Sequence, residues 1–242
     1  MQLTVLTLNL WNISEPLAPR MAALAAGLKT LRPDIVCLQE VAVDPRTRQR
    51  QSASAAEACG LGHCVDANQL SILSRFPIDR SYSVALPEIP NDEPRQVLLT
   101  DQRIGGRLVL VANTHLCWRV EWLAERKTQV DALLPAIERH GPREATILCG
   151  DFNDDPDSPA LLAVNEHSLG LLDSYAACHP DAAGLTWTRK NPYVHHTTER
   201  DQRIDYIFCA GALPPISSAV VFDDPNALAS DHYGVCAVFD LS

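Results

Sequence analysis

The chain has 242 residues, enough for one hydrophobic core and short for two ordinary domains with a linker. Its 46% hydrophobic and 21% charged residues exclude a disordered chain, and no run of 18 apolar residues marks a membrane-spanning helix. With 20 Lys+Arg against 30 Asp+Glu, net −10, it lacks the basic face that a stable complex with long nucleic acid needs.

Leu3–Asn9 alternates as a strand. Met21, Leu24, Ala25, Leu28 and Leu31 lie on one helical face, and Pro33 ends that helix. Asp34–Gln39 (DIVCLQ) is an unbroken apolar run, read as a fully buried strand. Residues 44–62 are polar and Ala-rich, a loop with one short helix. Leu70–Leu73 and Tyr82–Leu86 are strands. Gln96–Arg103 and Leu108–Asn113 flank Gly105-Gly106, a two-residue hairpin signal. A helix follows, with Leu123, Val130, Leu134 and Ile137 on one stripe; Pro135 is expected to kink it or end it early. Ala145–Cys149 is a strand, and Asp157-Ser158-Pro159 reads as a helix cap. Ile204–Cys209, Ser218–Phe222 and Val235–Asp240 complete about ten strands. Strict βαβ alternation is absent, so one domain of two packed mixed β-sheets with helices outside is favoured over a Rossmann or barrel fold. Residues 87–95 and 179–202 are the longest irregular stretches, where function often resides.

Eight cysteines show no C-x-x-C spacing, and five lie in or at the ends of apolar strand-like runs. They read as reduced thiols of a cytoplasmic protein, with a zinc or disulfide framework as the alternative. Met1 leads directly into a strand with no basic and apolar leader, consistent with that location.

Polar residues gather at strand ends: Asn9, Glu40, Asn113, His115, Asp151, Asn153, Asp205, Asp231 and His232. Each alone has a plain explanation in turn chemistry. Two packed sheets, however, bring like strand ends to one rim, and four carboxylates there would repel strongly without a cation. Hard carboxylate and amide oxygens suit Mg²⁺, Mn²⁺ or Ca²⁺ rather than zinc, and Mg²⁺ characteristically completes its shell with phosphate oxygens. Phosphoester hydrolysis is the chemistry that follows.

The ordered series TLNLW, DIVCLQE, NTHL, GDFND, RIDYIF and SDH resembles the endonuclease/exonuclease/phosphatase superfamily. So do LSILSRFPI and the Arg126/Gln129 pair. Together these segments span nearly the whole chain. The resemblance implies a four-layer α/β sandwich with the site on one rim. It implies that Glu40 ligates Mg²⁺ (or Mn²⁺), with Asn9 and Asp231 completing or orienting its shell. Asp151 would hold or deprotonate the attacking water, and Asn153 would bond a non-bridging phosphate oxygen. His232, oriented by Asp205, would contact the phosphoryl group, and His115 would stand on the leaving-group side.

Other residues carry weaker signals. Trp118 and Trp122 are expected to pack their helix onto the sheet, with base stacking as the alternative. His195-His196 reads as solvated loop, and Trp187-Thr188 as a lesser site candidate. Arg95 either meets a substrate phosphate or pairs with Glu93. Three lysines and no visible basic insertion disfavour inositol-phosphate phosphatase and abasic-site endonuclease activities. A small or lipid-like phosphodiester, or a nucleic-acid end, is the expected substrate, with no membrane insertion. The alternatives are a DNA or RNA nuclease and a catalytically silent binding module; every motif position keeps a functional side chain, which disfavours the second.

Overall fold

Period-two alternation sorts the residues of the central strands into two faces, and both faces are buried. The computed structural model describes residues 1–140, 143–195 and 200–241. In chain order the elements are β1 (Gln2–Asn9), α1 (Leu17–Leu31), β2 (Ile35–Gln39), α2 (Gln51–Cys59), β3 (His63–Ala67), β4 (Leu70–Ser74), β5 (Ile78–Ala85), β6 (Gln96–Ile104) and β7 (Arg107–His115). There follow α3 (Leu123–Arg139), β8 (Ala145–Asp151), α4 (Pro159–Glu166), β9 (Leu172–Asp173), α5 (Ser174–Cys178), β10 (Asp205–Gly211), β11 (Pro215–Val221) and β12 (Gly234–Asp240). One sheet has the order β11-β12-β1-β2-β4-β3 and the other β5-β6-β7-β8-β10-β9.

Three apolar clusters make the four layers. Leu3 and Val5 of β1, Ile35 and Cys37 of β2, Val109 and Val111 of β7, and Ile147 and Cys149 of β8 face one another between the sheets. The alternate residues turn outward. Leu6, Leu8, Val36 and Leu38 meet Leu24 and Leu28 of α1 and Ala55 of α2. Leu110, Ala112 and Leu148 meet Val130, Leu133 and Ile137 of α3 and Leu161 of α4. This is the expected α/β sandwich of two packed mixed sheets flanked by helices. The hairpin is also as expected: Ile104 pairs with Arg107 around Gly105 and Gly106, both at positive φ.

The structure corrects three expectations about the helices and strands. The helix α3 does not end early at Pro135 but runs through it to Arg139. Pro135 costs a helical hydrogen bond, but Leu133, Leu134, Ala136 and Ile137 around it are buried, and that burial holds the helix together. Leu123 leaves the buried stripe and is 46% exposed. Among the described residues the strands number twelve rather than ten, because β3 and the two-residue β9 join the sheets at their edges.

Continuing along the inward face explains where the site sits. The series Leu3, Val5, Thr7, Asn9 on β1 passes from apolar to polar, as does Ile35, Cys37, Gln39 on β2. So do Val111, Asn113, His115 on β7 and Ile147, Cys149, Asp151 on β8. The antiparallel β10 reaches the same rim at its start, where Asp205 pairs in register with Asp151. Just beneath the rim, Gln39 Nε2 donates to Thr7 Oγ1 (3.0 Å) and to Asn113 Oδ1 (2.7 Å), and Asn113 Nδ2 donates to the Leu38 and Ser71 carbonyls. These bonds tie the two sheets together and fix the rim above them. Asn113 is thereby spent on structure.

Candidate active site

The rim opens into a cleft of about 820 Å³. At its base Asp151, 1% exposed, gathers the other groups. Its Oδ2 accepts from Asn9 Nδ2 at 2.9 Å and lies 3.5 Å from His115 Nε2 and 3.8 Å from His232 Nε2. Its Oδ1 accepts from the Asn153 N–H at 2.9 Å. The backbone allows this because Gly150 lets β8 approach β7: a Cβ there would lie 2.2 Å from the Thr114 carbonyl oxygen.

Strict alternation would put Glu40 on the helix side, opposite Gln39. A left-handed φ of 53° turns it back to the rim, where Asn9 Nδ2 donates to its Oε1 at 3.1 Å. Asn153 is also left-handed, at φ 52°. Such backbone costs about 1–2 kcal/mol for a non-glycine residue and is found where a site demands it. Asn9 Oδ1 accepts the Trp11 N–H at 2.9 Å, and its amide nitrogen orients the two carboxylates. Asn153 commits one amide hydrogen to the Leu116 carbonyl (3.0 Å) and retains the other. His232 Nδ1 is 2.9 Å from Asp205 Oδ2, and the Asp205 N–H donates to Thr186 Oγ1.

The electrostatics follow from burial. Burial pushes the Asp151 carboxyl up to about 7, against the pull of His232 and with Asp205 adding to the rise. Burial also raises Glu40 and Asp231, the latter charge lifting the former. For His232, burial opposes the charged form, but Asp205 and Asp151 outweigh it and hold the imidazolium well above its usual range. His115 is driven well below its usual range by burial, Arg95 and His232. It is therefore neutral near pH 7, a hydrogen-bond donor rather than a reservoir of protons. A carboxyl near 7 is matched to general-base work at neutral pH.

A divalent cation fits this donor set. Glu40 and Asp231 present hard oxygens whose ionisation burial disfavours, and the Asp231 charge raises Glu40 further. Asp205 Oδ1 is buried with no hydrogen-bond partner among the described residues. One ligand atom each from Asp151, Asp205 and His232 also lie within 4.8 Å of one another, a second group able to hold an ion.

The remaining expectations divide. Trp118 is 48% exposed and lines the cleft, and Trp122 is half-buried, so the expected helix-to-sheet packing by this pair fails. Instead the Arg119 guanidinium lies over both indoles, 5.0 and 5.1 Å from the ring centroids. Arg95 lines the cleft but pairs with Asp92 (2.8 and 2.9 Å), while Glu93 accepts from Gln69. Trp187 lines the cleft and forms a backbone bridge to His232. His195 lies against the Trp11 ring at 6.1 Å; His196 falls outside the described residues. None of the eight cysteines is bridged.

Of the groups that hold the loops, the sequence singled out the Arg126/Gln129 pair and missed Arg20 and Asn191. Fully buried Arg20 donates to the carbonyls of Leu10, Asn12, Ser14 and Ala229, joining the turn after Asn9 to the segment before Asp231. Its signal was an arginine on the apolar stripe Leu17, Leu24, Leu28 of α1. Asn191 Nδ2 donates to the Ser230 and Asp231 carbonyls. Arg126 bonds Asp154 Oδ2 (2.9 Å) and the carbonyls of Arg119 and Val120, and Gln129 Oε1 accepts the Cys117 N–H. This pair braces the loop after His115.

Residues 6–232 match the model described as Endonuclease/Exonuclease/phosphatase family. The chain is similar to nocturnin of Rattus norvegicus, 26% identical over 231 residues, covering 84% of this chain and 52% of that protein. It thus spans about half the length of that relative. Among solved structures, an endonuclease/exonuclease/phosphatase from Bacteroides vulgatus superposes with a TM-score of 0.82 at 18% identity, covering 100% of both chains. TDP2 of D. rerio, complexed with single-strand DNA product, gives 0.81 at 21% identity, covering 99% of both chains. At these identities the likeness establishes the fold.

Proposed function

The chain belongs to the endonuclease/exonuclease/phosphatase family, and from that premise we propose that it is a Mg²⁺- or Mn²⁺-dependent hydrolase of phosphodiesters, acting by in-line attack of water. The observation that carries the reading is Asp151: a buried carboxyl poised near 7, with two histidines within 4 Å and an amide clamp to Glu40.

In this reading Glu40 and Asp231 hold the cation, and Asn9 orients Glu40. When bound, the cation neutralises charge on the phosphoryl oxygens. Asp151 receives the proton of the attacking water. Asn153 and the His232 imidazolium meet the equatorial oxygens, Asp205 keeping the His232 ring in place. His115 donates a hydrogen bond to the departing oxygen. Catalysis is then positioning plus electrostatic stabilisation. We place the enzyme in the cytoplasm, acting on a small or lipid-like diester or a nucleic-acid end. The net charge of −10 disfavours a lasting complex with duplex DNA.

The test is a screen of mono- and diesters with Mg²⁺, Mn²⁺, Ca²⁺ or EDTA. Diester turnover that appears only with a divalent cation supports the reading. Absence of turnover under every condition defeats it and favours the silent-module alternative.

A further inference from the structure

The wall of the cleft beyond His115 is built from side chains that hydrolysis does not require. Trp118, Val120 and Leu123 line it, 48%, 51% and 46% exposed. Large apolar groups left open inside a cleft, on a loop that begins directly after a catalytic histidine, are placed to meet substrate.

The loop is rigid. The Arg126 guanidinium holds the Arg119 and Val120 carbonyls at 2.6 and 3.2 Å and is itself anchored on Asp154. Gln129 fixes the Cys117 N–H, and the Leu116 N–H donates to the Asp151 carbonyl. The backbone that carries Trp118 is therefore anchored relative to Asp151 on both sides of the residue.

Trp118 is also backed. The Arg119 guanidinium lies over its ring at 5.0 Å and also over the Trp122 ring at 5.1 Å. The Arg119 Nε is buried with no hydrogen-bond partner, and no carboxylate is paired with its guanidinium among the described residues. A guanidinium within reach of both ring faces, with its Nε buried, serves to stiffen the two indoles. The other cleft tryptophans are not free in this way. Trp11 already stacks on Tyr193 at 5.5 Å, with Arg20 over the ring at 4.9 Å. Trp187 is 6% exposed.

Resting on the proposed phosphodiesterase activity, we infer that Trp118 is a stacking platform for a flat heteroaromatic base on the leaving-group side, so that the substrate is a nucleotide diester of small size. A stiff, pre-positioned indole suits a planar ring, whose π-face it can cover without rearrangement. A lipid tail would be served equally by any mobile apolar side chain. Three apolar residues that line a cleft also make a poor membrane anchor, which needs a broad outward face. The cleft volume suits a mono- or dinucleotide rather than a duplex.

The test separates base recognition from turnover. Affinities of adenosine 5′-monophosphate and ribose 5-phosphate, probes differing only in the base, are measured by calorimetry with Mg²⁺ on wild type, Trp118→Ala and Trp118→Phe. Wild type should prefer the base-bearing ligand by roughly 5- to 150-fold. Trp118→Ala should bring the ratio close to one, and Trp118→Phe should retain most of it. A ratio near one in wild type, or an unchanged ratio in Trp118→Ala, overturns the inference. So does a Trp118→Ala loss confined to binding of phosphatidylcholine vesicles. The binding ratio is read without catalysis, so failure of the phosphodiesterase reading would show separately, as absence of diester turnover.

Discussion

Replacing Asp151 by asparagine should make the stability curves of the two metal-free proteins cross as pH changes. In the folded protein burial raises the Asp151 carboxyl from 3.8 to about 7. Between those values the unfolded chain has released this proton and the folded chain has kept it. The unfolded state then binds fewer protons, so stability falls as pH rises, by about 1.4 kcal/mol per pH unit. Across the interval the loss is on the order of 4 kcal/mol, fully present above pH 7 and absent below about 4. A carboxamide at this position cannot ionise and escapes the loss. The Asp151→Asn variant has its own cost at every pH. Oδ1 and Oδ2 both accept hydrogen bonds, from Asn153 N–H and Asn9 Nδ2, so an amide must turn its NH₂ against one of those donors. A buried conflict of this kind costs about 1–3 kcal/mol. The variant should therefore be the weaker protein at about pH 4.5 and the stronger one at about pH 8, with the crossing at roughly pH 5–6. Urea unfolding in EDTA at half-unit pH steps reads this directly. Parallel curves would show that Asp151 titrates in the folded protein as an ordinary carboxyl, and the base assignment would lose its physical ground.

The other predictions concern neighbouring groups. His115→Ala should lower kcat/KM for an alkyl phosphodiester by roughly 10²-fold or more and spare a nitrophenyl ester, whose leaving oxygen disperses its charge without a hydrogen bond; equal losses on both would remove His115 from the leaving-group side. Asp205→Asn takes away the carboxylate 2.9 Å from His232 Nδ1, so an NMR titration should show the His232 imidazole losing its proton at lower pH than in wild type; an unmoved titration would contradict the pairing. Arg126→Met leaves Asp154 buried without its cation and should cost about 3–5 kcal/mol in urea unfolding; a loss below about 1 kcal/mol would mean the loop after His115 is held by other groups.

The parts of the molecule legible in the sequence were those written in local periodicity. DIVCLQE shows a doubly buried strand and the polar residue that ends it, and VANTH and ILCGD do the same, so the rim could be assembled before its geometry was known. The edge strand β3 was silent because its residues are mostly exposed and only the half-buried Val65 and Ala67 face the core, and β9 is too short to have a period. Pro135 does not end the helix because its cost is local while the compensation comes from Leu133, Leu134 and Ile137 packing against the sheet. Arg20, Asn191 and Gln39 act by bonding atoms of remote segments, and no spacing along the chain reveals that. Trp118 and Trp122, at i and i+4, imitate a packing stripe; only the fold shows that they hold Arg119 instead.

The central claim is that Glu40 and Asp231 hold a divalent cation needed to hydrolyse a phosphodiester at Asp151. The most direct measurement is the Mg²⁺ dependence of diester turnover after exhaustive dialysis against EDTA, in wild type and in Glu40→Gln. The account predicts no turnover without metal, recovery with Mg²⁺, and a half-saturating Mg²⁺ concentration raised by roughly 10- to 100-fold in Glu40→Gln, which keeps the shape and loses one ligand charge. Undiminished turnover in EDTA, or the same Mg²⁺ requirement in both proteins, would contradict it.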